Sequence, residues 1–86
     1  YVLPLLWGDR LVGRIEPRID REAGTIRILG IWWQAGFAPR RDEAFVAAMR
    51  DALAAYARFG GARRIDWGSH GPEKRIFGVR PQRVDT

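Results

Sequence analysis

The stretch Leu3–Asp20, LPLLWGDRLVGRIEPRID, decides how the rest of the chain is read. An apolar run, Leu3 to Trp7, meets a turn signal at Gly8-Asp9-Arg10. A second β-leaning run follows from Leu11 to Ile19, the pattern of a β-hairpin. Side chains alternate along a strand, so Leu11, Gly13 and Ile15 are expected on one face and Val12, Arg14, Glu16 and Arg18 on the other. One face of the hairpin would then enter a core while the other carries positive charge outward. Pro17 has no N–H for a ladder and marks either a bulge or an edge position.

Downstream, Arg21-Glu22-Ala23-Gly24 reads as a tight turn. Thr25 to Trp33 then alternates as a third strand, antiparallel to the second. Ile26, Ile28, Gly30 and Trp32 are expected one way, and Thr25, Arg27, Leu29, Ile31 and Trp33 the other. If Asp20 faces Thr25, then Arg18 faces Arg27, with Arg14 on the same surface. Like charges placed opposite each other are unfavourable. The cluster therefore implies either an anionic partner or a nearby carboxylate, for which Glu16 is the local candidate. The adjacent Trp32 and Trp33 point to opposite faces, so one enters the core. The other covers a second surface, packing on a helix or a neighbour or stacking on a ligand such as a nucleobase.

Gln34 to Arg41 is a loop. Asp42 is a good N-cap, and Glu43 in the first turn suits the helix dipole. Asp42 to Phe59 reads as an amphipathic helix with Phe45, Met49, Leu53 and Tyr56 on one face, closed by Gly60-Gly61. Arg63 to Trp67 is a short fourth strand. The expected class is α+β: an antiparallel meander of three strands, one helix packed on it, then a short fourth strand. Residues 1–68 form the domain. Residues 69–86 form a loose tail with a small apolar knot at Ile76, Phe77 and Val79.

The 86 residues allow one small core, and a hydrophobic fraction of 47% with four Trp marks a globular chain. No apolar run approaches a membrane span and no signal-peptide pattern is present. Tyr1 opens directly into an apolar strand without a polar lead-in, which reads as a piece of a longer protein. Cys is absent, so disulfides, Cys-based zinc sites and a thiol nucleophile are excluded, and a cytoplasmic location fits. The net charge is +5, and every one of the 15 cations except Lys74 is Arg. Arginine offers a planar fork for phosphate oxygens and base edges, although GC-rich coding also favours it. Either way the net charge attracts polyanions.

Catalytic chemistry is thin. His70 is the one histidine, with no nucleophile–base pair to complete it. The ten acids are scattered, with no spacing that demands a shared site. There is no phosphate loop, because Gly8 to Gly13 lacks the strand–loop–helix context and the lysine. No metal or other cofactor is expected.

One resemblance extends this reading. Tyr1, Leu3-Pro4, Gly8-Asp9-Arg10, Leu11-Val12-Gly13-Arg14, Asp20-Arg21 and Ala23-Gly24 follow in order, then a helix and a strand ending in Trp67-Gly68. This string resembles the C-terminal region of the bacterial winged-helix DNA-binding proteins that include the crosslink-repair DNA glycosylases. Trp7 departs from it, standing where the family often has a polar residue or His. The resemblance implies winged-helix domains of the same chain N-terminal to this one, lining a basic channel for double-stranded DNA. It also implies a parent that excises alkylated or crosslinked bases by cleaving the N-glycosidic bond. The family's catalytic triplet, glutamine–hydrophobic–glutamine or –aspartate, lies in that N-terminal part; here Gln34 and Gln82 stand alone. The expectation is a non-catalytic accessory domain with Arg10, Arg14, Arg18 and Arg27 as phosphate contacts that position DNA. The alternative is a structural or protein-docking module whose arginines pair locally and never touch DNA.

Overall fold

A computed structural model describes residues 1–78 of the chain; Val79 and the arginines after it lie outside the described residues. The elements are β1 (Leu3–Trp7), β2 (Arg10–Asp20), β3 (Thr25–Trp33), a short 3-10 turn (Pro39–Arg41), α1 (Glu43–Phe59), β4 (Arg64–Asp66) and α2 (Gly71–Phe77). One sheet carries the four strands in the order β1-β2-β3-β4. The first three are antiparallel and joined by tight turns, whereas β4 runs parallel to β3. A parallel neighbour needs a crossover connection, and α1 supplies it.

Helix α1 starts where the sequence indicates. The Asp42 carboxylate accepts the Phe45 backbone N–H at 3.0 Å, satisfying one of the donors left free at a helix start. At the other end the Ala62 N–H reaches the Ala57 carbonyl at 2.8 Å and the Gly61 N–H reaches the Arg58 carbonyl at 3.1 Å. This paired closure needs a left-handed residue, and Gly61 provides it with φ +67°. Phe45, Met49 and Leu53 of the helix are buried against Val12, Ile15, Ile26, Ile28 and Ile31 of the sheet. Each such side chain contributes about 1.5–3 kcal/mol on burial, a large share of what a domain this size gains.

Simple alternation fails at two places, and both are bulges. Leu5 pairs with Gly13 and Leu6 with Leu11, which leaves Val12 as an extra residue on β2. Val12 therefore turns inward and is 0% exposed, while Leu11, expected inside, is 41% exposed. Glu16 pairs with Gly30 and Pro17 with Ile28, which leaves Leu29 as the extra residue on β3. Ile31 and Trp33 thereby join Ile26 and Ile28 on the core face, and Trp32 goes to the other face. The second bulge sits at Pro17 in an interior strand, where the missing N–H interrupts the ladder.

Residues 71–77, expected to be loose, form α2. Pro72 lies in its first turn, where a missing N–H costs nothing, and Glu73 beside it suits the dipole. Phe77 closes the core at 1% exposure, beneath Trp33, Phe45 and Trp67.

Candidate nucleic-acid interface

The sheet has a covered face and an open one. Helix α1 covers the first. On the second, cross-strand pairing places Arg14 opposite Trp32, Glu16 opposite Gly30, Arg18 opposite Arg27 and Asp20 opposite Thr25. The expected surface of Arg14, Arg18 and Arg27 is thus assembled by register.

These three arginines are in different electrostatic states. The Arg27 guanidinium is held between two carboxylates, with Asp20 Oδ2 and Asp66 Oδ2 each at 3.1 Å. Glu16, the carboxylate expected to neutralise the cluster, is in neither contact. Asp20 is fixed from two sides, since its Oδ1 also accepts the Ala23 backbone N–H at 3.1 Å. That backbone hydrogen bond, then the one from Arg27, holds the Asp20 carboxyl below its ordinary value, and the field of Arg18 adds to the effect. Arg27 therefore locks the end of the β2–β3 ribbon to β4. Arg14 and Arg18 are exposed and, among the described residues, form no ion pair.

Arg14 has an aromatic partner. Its guanidinium carbon lies 6.0 Å from the centroid of the Trp32 ring, the range of a cation–π contact. Trp32 lies over Gly30, where a Cβ would collide with Cη2 and Cζ2 of the indole. The missing side chain at Gly30 lets the ring lie down on the sheet while remaining 44% exposed. Of the two tryptophans, Trp33 is the core member. It packs on Phe37, Phe45 and Phe77, and its Nε1–H donates to Glu73 Oε2 at 3.1 Å.

Arg10 is separated from the other three. The Val12 bulge reverses the facing of the strand beyond it, and Arg10 sits with its guanidinium carbon 5.8 Å from the centroid of Phe37. The open face also has an apolar component. Leu6 and Leu11 pair across β1 and β2 and are both exposed, and Leu29 stands out from the β3 bulge. Alternation already sets Leu29 on the face of Arg27, whereas Leu11 was hidden by the Val12 bulge. Such a surface offers point charges and a flat π-face to a polyanion, with aliphatic contacts beside them.

Among the described residues no group of three or more acids and histidines stands close enough to hold a metal ion. His70 precedes α2, its backbone N–H donating to the Trp67 carbonyl at 2.9 Å. No helix of the described residues is long and apolar enough to cross a membrane. The sequence model of the family described as DNA glycosylase AlkZ-like matches residues 1–59, from the first strand to the end of α1. No solved structure matches the chain.

Proposed function

We propose that this chain, which belongs to the AlkZ-like DNA glycosylase family, is a non-catalytic accessory domain that helps a base-excising enzyme hold double-stranded DNA. The observation that carries this reading is the pair Arg14–Trp32 beside Arg18: two exposed guanidinium groups and an exposed indole on the one open face of the sheet. Guanidinium groups that form no ion pair among the described residues can take phosphate oxygens, and an indole is suited to a sugar or base face. The winged-helix partner domains, the excision of alkylated or crosslinked bases and the cytoplasmic setting belong to the same proposal. Arg27 acts in it as a positioning residue, holding β4 in place, and Arg10 as an outlying contact at the hairpin end.

Binding of fluorescent duplex to the full-length protein at stepped salt concentrations tests this. Phosphate contacts release counterions, so affinity should fall steeply with salt, and replacing Arg14 and Arg18 together by Ala should lower the salt slope by about 1–2. Unchanged affinity and slope in the double variant would reject it.

A second reading draws on the exposed Leu6–Leu11 pair and Leu29: the open face docks on a neighbouring protein domain and never meets DNA. It predicts that Leu6→Ser with Leu11→Ser impairs assembly of the full-length protein, while the Arg14 and Arg18 replacements leave DNA affinity intact.

A further inference from the structure

A second basic surface lies at the β4 edge, where α1, β4 and α2 enclose a groove of about 830 Å³. That volume is within the roughly 300–1,000 Å³ typical of ligand sites. Six cations line it: Arg50, Arg58, Arg63, Arg64, Lys74 and Arg75, and among the described residues no carboxylate does. Two of the six are tied down, Arg50 donating to the Ile76 carbonyl at 2.8 Å and Arg64 to Thr25 Oγ1 at 2.9 Å. The other four form no ion pair among the described residues. Between the cations the floor is aliphatic, made by Leu53, Ala54, Ala57, Ala62 and Ile65.

We infer that this groove holds an acidic amphipathic peptide segment of a partner protein. This is independent of the role given to the open sheet face. The charge of the rim requires an anionic occupant, and the floor selects among anions. Single-stranded nucleic acid is held by stacking on exposed aromatic faces, yet the aromatics here, Trp67 and Phe77, are both buried, and a duplex meets such a rim with its phosphates and leaves the aliphatic floor without a partner. A peptide with apolar side chains on one side and carboxylates on the other fits both parts, aliphatic groups on the floor and carboxylates against the rim. The chain's own residues 79–86 carry Arg80 and Arg83 against Asp85, so their charge matches the rim rather than opposing it.

The test uses a fluorescein-labelled synthetic peptide in which Leu recurs at helical spacing and the remaining positions are Glu and Ala. Anisotropy should show saturable binding to the chain, and Arg58→Glu with Lys74→Glu should weaken it at least roughly tenfold. Matched single reversals should differ: Arg58→Glu should weaken it several-fold, and Arg41→Glu, outside the groove, less than about twofold by screened, long-range effects alone. Amide chemical-shift mapping on the unaltered chain should place the peptide at Ala54, Ala57, Ala62 and Ile65, a readout that does not depend on the variants folding. Equal losses from the two single reversals, equal binding of a peptide with Ser for Leu, or shifts that miss the groove would overturn the inference. So would a single-stranded or duplex oligonucleotide that binds more tightly than the peptide and is lost with the same rim reversal.

Discussion

Trp7 and Asp42 are joined by a hydrogen bond: the indole Nε1–H of Trp7 donates to Oδ2 of Asp42 at 3.1 Å. The other oxygen of the same carboxylate caps α1 through the Phe45 N–H. One side chain thus fastens the end of β1 to the start of the helix, and the hairpin and helix are held in register by it. Asp42→Ala removes a cap, worth about 1 kcal/mol, and a hydrogen bond to a charged group, worth about 1.5–3 kcal/mol. The expected loss is about 2.5–4 kcal/mol of unfolding free energy. Asp42→Asn keeps an acceptor for the helix but turns its amide NH2 toward the Trp7 N–H, so it should lose the second contribution alone, about 1.5–3 kcal/mol. Urea denaturation of the two variants checks both figures.

Phe45 is the hub of the aromatic core. Its ring meets Phe37 at 5.1 Å, Trp7 at 5.6 Å, Trp33 at 5.8 Å and Phe77 at 6.1 Å, each nearly edge-on. It therefore links β1, the end of β3, the loop after it and α2. Truncating such a residue costs about 3–5 kcal/mol, comparable to the whole stability of a small domain. Phe45→Ala should leave the chain largely unfolded at room temperature, seen as lost near-ultraviolet circular dichroism. Phe45→Leu should remain folded with a lower melting temperature.

The element order was legible because its signals are local: the Gly8-Asp9 turn, the Asp42 cap, the four-residue spacing of Phe45, Met49 and Leu53, and the Gly61 stop. The faces of the strands were legible only up to the bulges. A bulge is a pairing event between strands, and nothing within Leu11-Val12-Gly13 or Leu29-Gly30 announces which residue goes unpaired. Pro17 did flag the second one, since its missing donor is visible in the sequence. The surface holding Arg14, Arg18 and Arg27 was legible from register, but the neutralisation of Arg27 was not. It depends on Asp66, which the crossover through α1 brings back 39 positions later. Helix α2 was missed because Pro72 signals a loop and a first helical turn equally; Phe77 decides for the helix by reaching the core.

Gly30 sets the position of Trp32, and that gives a prediction for the open face. A Cβ at Gly30 has to displace the indole, the far end of a side chain that remains largely free to move. Gly30→Ala should therefore cost little stability, less than about 1–3 kcal/mol for a small overpacking change. It should abolish the Arg14–Trp32 coupling. A double-mutant cycle of Arg14→Ala and Trp32→Ala is expected to give about 0.5–1 kcal/mol in the native background and close to none with Ala at position 30. Coupling that survives Gly30→Ala would mean that the ring does not lie against the glycine.

Acid should loosen the β2–β3 turn through Asp20. In the folded chain its carboxyl is held below its ordinary value of 3.8 by the Ala23 N–H first and by Arg27 second. In the window between 3.8 and that lower value the unfolded chain binds the proton and the folded chain does not, so stability rises with pH across it. The contribution is fully present above 3.8 and disappears as pH falls through the folded value. Protonation also removes one of the two carboxylates on Arg27, leaving Asp66 as its remaining partner. Asp20→Asn keeps an oxygen for the turn but carries no charge, so it should be less stable than the native chain at neutral pH. The difference should shrink toward zero as the solution is acidified below 3.8. Urea midpoints of both proteins across that range measure it. A gap that stays constant with pH would show that the charge of Asp20 takes no part in holding Arg27 and β4.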